Sequence, residues 1–285
     1  MTRPPAPATI GELVRRYSVL LLDSYGVLVD HSEVLPGAAK LVAHLHRTGK
    51  PYLILTNDAS ISVGETSRRF HSRGMAIPPE RIITSGSLLD GYFRRNGLKG
   101  SRCVVIGPEG SRRYVAEAGG RLEPLTEDAR PDVLVVCDEA GAPFLETVDA
   151  ALTMLVRSLD QGARVRLVLP NPDRIYPKGG RRYGLAAGSI AGFLEEALRL
   201  RYPGRRDLRF ARLGKPYRAI FAEALRRTGS RDMVMIGDQL ATDIAGAARF
   251  GIDSALVGTG LSRPADKGRW AGVVPTCLLR DLRLE

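Results

Sequence analysis

Cysteine is scarce in this 285-residue chain: Cys103, Cys137 and Cys277 lie far apart, with no C-x-x-C spacing. An odd, scattered set fits a reducing compartment rather than a disulfide framework. Cys103 and Cys137 fall in or beside apolar runs and read as small core residues. Histidine is as rare, and His44 and His46 stand two apart, a spacing that does not put a metal pair on one helix face. No apolar run approaches the roughly 18 residues of a membrane span. The segment Met1–Ala8 has no apolar signal core, so the expected location is cytoplasmic and no membrane partner is expected. No strict internal repeat occurs. Recognition-helix, zinc-finger and RNA-binding signatures are also missing, which argues against a nucleic-acid partner.

What the chain has in excess is positive charge: 42 basic against 31 acidic residues, a net +11. The basic residues are spread along the sequence, with local clusters at Lys178–Arg182 and Arg201–Arg212. A solvated arginine-rich surface accounts for most of them, and the remaining implication is an anionic small-molecule partner.

Short apolar runs alternate with segments of helical periodicity. Val19–Leu22, Tyr52–Asn57, Arg81–Ser85, Arg102–Gly107, Asp132–Cys137, Arg166–Leu169, Leu208–Leu213, Met233–Ile236 and Ser254–Val257 read as strands. Thr9-x-x-Glu12 is a capping-box pattern opening a short helix, and Gly49, Gly74, Gly119 and Gly251 sit where helices stop. This alternation predicts an α/β fold with right-handed crossovers and parallel sheets. The stretch Arg174–Gly188 reads as a long, polar loop, and a helix is expected over Ser189–Leu200. Gly258-Thr-Gly260 comes late and precedes no regular helix, so it is not a dinucleotide fingerprint.

Four strand ends carry polar groups: Asp23, Thr56-Asn57, Lys215, and Asp238 with Asp243. Taken alone, Asp23 is a nucleophile, a metal ligand or a turn cap. In a parallel sheet these ends share one edge. Three converging carboxylates repel unless a cation sits among them, and an all-oxygen set without His or Cys favours Mg²⁺. A lysine and a threonine hydroxyl beside such an ion make a receptor for a phosphoryl group.

The run Asp23-x-Tyr25-Gly26-Val27, then Thr56-Asn57, Gly214-Lys215-Pro216 and Gly237-Asp238-x-x-x-Thr242-Asp243 resembles the haloacid dehalogenase superfamily of aspartate-nucleophile hydrolases. The spacing is similar to its class IIA branch, the NagD-like and 4-nitrophenylphosphatase-like phosphatases. The resemblance implies a Rossmann-like parallel-sheet core at residues 1–87 and 191–285, with an inserted α/β cap of the C2 type at 88–190. It implies Mg²⁺ as cofactor and a small phosphorylated substrate. Asp23 would be nucleophile and metal ligand, Asp238 a direct ligand, and Asp243 a ligand through water. Tyr25 would offer its backbone carbonyl to the metal. Thr56, Asn57 and Lys215 would hold phosphoryl oxygens. Asn171 and Asp173, in an Asn-Pro-Asp turn, would lie near the leaving group if the cap closes over the core. The resemblance also allows a homodimer formed through the cap.

One position departs from the phosphatase pattern. The family places a second aspartate two residues after the nucleophile, as general acid and base, and here that residue is Tyr25. Such catalysis is worth about 10²–10⁴-fold, and a phenol of pKa about 10 is a poor base at neutral pH. Good leaving groups, or Asp30 or Asp58 as substitutes, would offset the loss. The rival expectation is a catalytically weak or inactive protein of this fold that binds Mg²⁺ and a phosphorylated ligand. Tyrosine also occupies this position in the dehalogenases themselves. Those enzymes work without metal, however, and the complete acidic element at Asp238–Asp243 speaks against that reading.

Overall fold

The structure, a computed structural model, describes residues 5–30, 33–141, 143–178, 182–260, 262 and 273–284. In chain order the strands are β1 (Ala6–Ala8), β2 (Val19–Leu22), β3 (Tyr52–Thr56), β4 (Ile82–Thr84), β5 (Arg102–Ile106), β6 (Arg121–Glu123) and β7 (Val133–Val136). They continue with β8 (Arg166–Leu169), β9 (Ile175–Pro177), β10 (Tyr183–Leu185), β11 (Ala211–Arg212), β12 (Met233–Gly237), β13 (Asp253–Val257) and β14 (Cys277–Leu279). The helices are α1 (Ile10–Arg16), α2 (Ala38–Arg47), α3 (Val63–Ser72), α4 (Leu88–Asn96) and α5 (Glu109–Glu117), then α6 (Phe144–Asp160), α7 (Ala187–Arg201), α8 (Arg218–Thr228) and α9 (Ala245–Phe250).

The chain divides into two units. The first comprises Met1–Thr56, Val63–Thr84 and Lys215–Glu285; the second comprises Asn57–Ser62 and Ser85–Gly214. The first unit is built on a parallel sheet in the order β1-β14-β13-β12-β2-β3-β4. Strands β2, β3 and β12 are buried along their whole length, in keeping with their largely apolar sequences. The core on one face joins Leu20 and Leu22 with Ile54, Ile236 and the inward residues of α1 and α2. The capping box forms as the sequence predicts. Thr9 N–H donates to Glu12 at 2.7 Å, and Glu12 N–H donates to Thr9 Oγ1 at 3.3 Å. Strand β1 carries Pro7 and lies at the sheet edge, where a residue with no N–H to give is tolerated.

The second unit has its own parallel sheet, β11-β8-β7-β5-β6, and its own core, in which α6 and α7 pack Met154, Leu155, Ile190 and Leu194 against Leu134, Val136 and Leu167. The division between units falls at Gly214 and Lys215, not at the expected residue 190. Residue 190 lies inside α7, which packs in that core, and β11 pairs with β8. The expected strand Leu208–Leu213 shortens to β11. The expected loop Arg174–Gly188 contains an antiparallel hairpin, β9 with β10, and α7 opens at Ala187. A side chain at Gly184 would collide with the Tyr176 ring, and Lys178 Nζ stands 5.4 Å from that ring's centre. Of the basic cluster Lys178–Arg182, residues 179–181 lie outside the described residues. Strands β1, β6 and β14 have no counterpart in the sequence reading; each is three residues long. Cys103, Cys137 and Cys277 are buried and unpaired with one another, in keeping with core residues. Among the described residues, no helix is long and apolar enough to cross a membrane.

Candidate active site

The all-aliphatic β2 ends at Leu22, and Asp23 N–H continues the ladder by donating to Ile236 O at 2.9 Å. The chain then turns sharply. Leu28 N–H donates to Ser24 O at 2.9 Å, Gly26 N–H donates to Val29 O at 2.8 Å, and Gly26 adopts φ +78°. That left-handed conformation favours glycine. Space demands it as well, because a Cβ at Gly26 would collide with the Asp238 carboxylate.

Next to β2 in the sheet, β12 closes on Gly237 and delivers Asp238. A wide, π-type turn over Leu240–Ile244 then brings Asp243 back toward the strand end. Its carboxylate accepts from Gln239 N–H at 3.1 Å, and a Cβ at Gly237 would collide with it. Asp23, Asp238 and Asp243 are all buried, and one carboxylate oxygen from each lies within 4.8 Å of the others. Lys215, the first residue of the chain's return to this unit, is 2% exposed. Its Nζ stands 2.6 Å from Asp23 Oδ1 and 2.8 Å from Asp243 Oδ1. Ser24 N–H also donates to Asp23 Oδ1, at 2.7 Å.

The electrostatics follow from three carboxylates facing one ammonium in a buried place. Burial, and then Asp243, push the Asp23 carboxyl well above the usual carboxylate range. Lys215 opposes the shift and Asp238 adds to it. For Lys215 burial acts downward, yet Asp23 and Asp243 outweigh it and hold the ammonium above the ordinary lysine range. Among the described residues of the cluster, negative charge is therefore in excess. Its donors are all carboxylate oxygens, and glycines crowd the Asp238 carboxylate from two sides, Gly26 and Gly260. Such a donor set fits a hard divalent cation.

Among the described residues, the first unit thus brings together Asp23, Lys215, Asp238 and Asp243. Thr56 is the last residue of β3, one strand over from β2, and is buried. The Tyr25 hydroxyl is also buried. Asn57, Asn171 and Asp173 belong to the second unit. There Asn57 Nδ2 donates to Asp173 Oδ1 at 2.8 Å, and Asp173 N–H donates to Asn171 Oδ1 at 3.0 Å. Asp30 and Asp58 cap local turns: Asp30 Oδ1 accepts from Glu33 N–H, and Asp58 Oδ1 accepts from the Ser60 N–H and hydroxyl.

The sequence reading missed one wall of this site. Thr259 Oγ1 donates to Gly26 O at 2.7 Å, and a Cβ at Gly260 would meet the Asp238 carboxylate. Ser262 N–H donates to Asp238 O at 3.1 Å, and its Oγ accepts from Leu240 N–H at 3.2 Å. The signal was the Gly258-Thr-Gly260 run, set aside only because it was weighed as a nucleotide motif.

A family described as haloacid dehalogenase-like hydrolase matches residues 20–121, and a second, HAD-hydrolase-like, matches 212–283. The chain is 29% identical over 254 residues to a dihydroxyacetone phosphatase of Corynebacterium glutamicum, covering 88% of this chain and 84% of that one. It is 26% identical to the ribonucleotide monophosphatase NagD of Escherichia coli, over 85% of this chain and 88% of that one. Among solved structures, a possible sugar phosphatase of the superfamily from Cytophaga hutchinsonii superposes with a TM-score of 0.82 at 28% identity, covering 99% of both chains. With both motif-bearing halves matched and the fold shared end to end, the chain belongs to the haloacid dehalogenase superfamily of hydrolases, in its NagD-like class IIA branch.

Proposed function

We propose that the protein is a Mg²⁺-dependent phosphatase that hydrolyses a small phosphorylated metabolite through an aspartyl-phosphate on Asp23, with the second unit as its C2-type cap. The observation that carries this reading is the buried cluster in which Lys215 bridges Asp23 and Asp243 with Asp238 alongside. Asp23, Asp238, the Tyr25 backbone carbonyl and, through water, Asp243 would hold the ion. When bound, Mg²⁺ offsets the charge of the carboxylates and of the phosphoryl group.

Lys215 and the Ser24 N–H both engage Asp23 Oδ1, which fixes the carboxylate and directs the other oxygen to phosphorus. Attack forms an Asp23 O–P bond and breaks the ester P–O bond, and the departing oxygen takes a proton from solvent water to leave as the alcohol. Water then adds to phosphorus, and the carboxylate leaves with inorganic phosphate as the second product. Thr56, Asn57 and Lys215 supply donors to the phosphoryl oxygens. The relatives named as dihydroxyacetone phosphatase and possible sugar phosphatase favour a triose or sugar phosphate. A homodimer would use the exposed apolar side chains Leu145, Phe193 and Leu200 of the cap.

A second reading rests on Tyr25. Asp30 and Asp58, the nearby carboxylates considered as substitute acids, both cap turns. This favours slow turnover of esters with poor leaving groups, and in the limit a binding protein. The test is an assay of purified protein with and without Mg²⁺ on aryl phosphates, acyl phosphates and sugar phosphates, with Asp23→Asn as control. Turnover above the control in Mg²⁺ is expected, and its absence on every substrate would sink the enzyme reading. Tyr25→Asp is expected to raise turnover of sugar monophosphates about tenfold or more. An unchanged or lower rate would assign Tyr25 to a different mechanism.

A further inference from the structure

Asn57 directly follows Thr56 and is the first residue of the second unit. It is 6% exposed and its side chain is set from several directions. Nδ2 donates to Asp173 Oδ1 at 2.8 Å, and because a carboxylate only accepts, this contact decides which end of the amide faces Asp173. On the other side Gly214 lies against Asn57 Oδ1, where a Cβ would collide. The backbone carbonyl of Asn57 accepts from Ser85 Oγ at 2.6 Å.

Asp173 is itself delivered by a built turn. Its N–H donates to the Asn171 side chain at 3.0 Å, and its carbonyl accepts from Gly188 N–H at 2.8 Å. A side chain at Gly188 would collide with the carbonyls of Pro172 and Asp173. Asn171, Pro172 and Gly188 therefore fix where the Asp173 carboxylate points, and it points at Asn57.

We propose that Asp173 is a positioning residue for phosphoryl binding: it holds the Asn57 amide in one orientation rather than touching the leaving group. This rests on the reading in which Asn57 meets the phosphoryl group. A hydrogen bond to a charged acceptor is stronger than a neutral one, and with one Nδ2 hydrogen held on Asp173 the planar amide aims its second in one fixed direction.

The test measures binding of inorganic phosphate, the reaction product, to the full chain in Mg²⁺ by calorimetry. It compares wild type, Asn57→Ala, Asp173→Ala, Asp173→Asn and the double alanine variant. Asn57→Ala and Asp173→Ala are each expected to weaken phosphate binding about tenfold, the size of one charge-assisted hydrogen bond. The double variant should be no weaker than Asn57→Ala alone. Asp173→Asn keeps an acceptor oxygen and the turn, and should recover affinity to within about threefold of wild type. If Asn57→Ala weakens binding while Asp173→Ala does not, or the two losses multiply, the positioning role is wrong and the phosphoryl role of Asn57 stands. If Asn57→Ala leaves phosphate affinity unchanged, the phosphoryl role of Asn57 falls and the proposal with it.

Discussion

Lys215→Met separates the charge of this lysine from its packing. Methionine keeps the unbranched stem in a place that is 2% exposed and removes only the ammonium that stands 2.6 Å from Asp23 and 2.8 Å from Asp243. Two of the three buried carboxylates then lose the ammonium that they share. Removing one partner of a buried ion pair costs about 3–5 kcal/mol. The two pairs share one ammonium, so their costs do not add, and the range applies to the substitution as a whole. The two units need not unfold in one transition, so the loss is expected in the transition of the first unit. At about 2–4 °C per kcal/mol for a unit of this size, the melting temperature should fall by roughly 6–20 °C. In the proposed site Mg²⁺ would bind only the folded cluster and should raise the variant's melting temperature more than the wild type's. Differential scanning calorimetry with and without Mg²⁺ reads both effects, and phosphatase turnover should drop to the Asp23→Asn level. A fall of less than about 3 °C in the absence of Mg²⁺ would refute the reasoning, because the carboxylates would then have shed their charge at no cost.

Two further outcomes follow from burial and space. Gly260→Ala should cut the Mg²⁺ affinity of the site about tenfold by driving a methyl into the Asp238 carboxylate. Gly258→Ala, where the nearest atom would lie at 3.4 Å, serves as control, and equal Mg²⁺ titrations for the two variants would contradict the steric account. Burial raises the Asp138 carboxyl from 3.8 to about 6, so the folded state binds this proton more tightly than the unfolded chain. Its favourable contribution is complete below about pH 4 and is lost as pH rises through about 6. Asp138→Asn should therefore stabilise the protein by about 3 kcal/mol at pH 7.5 and by almost nothing at pH 4, as read by urea denaturation at both pH values; an equal gain at both would refute the assignment.

Much of the site was legible because each motif sits where local sequence is decisive. A run such as Val19–Leu22 has no polar residue to put on a solvent face, so it must be a buried strand, and Asp23 must then stand at its end. The same holds for Met233–Gly237 before Asp238 and for the apolar stretch Tyr52–Leu55 before Thr56 and Asn57. The short edge strands were not legible. Ala6–Ala8 contains a proline, and Arg121–Glu123 is mostly exposed, so neither carries a burial pattern of its own; they are strands only because a neighbour offers them a ladder. The β9–β10 hairpin is hidden in the same way: three residues a side, with Ile175, Tyr183 and Leu185 exposed, give too little alternation to read.

The sequence by itself determined the α/β alternation, the strand-end carboxylates, the lysine and the family, since these depend on residue types and their spacing along one chain. Only the tertiary structure decided that Gly26, Gly237 and Gly260 make room for the carboxylates, that α7 and β11 belong to the second unit, and that Asp173 turns to Asn57 across 116 positions of sequence. Those facts are distances between residues remote in the chain, and no local pattern encodes a distance that the packing of each sheet with its own helices must first create.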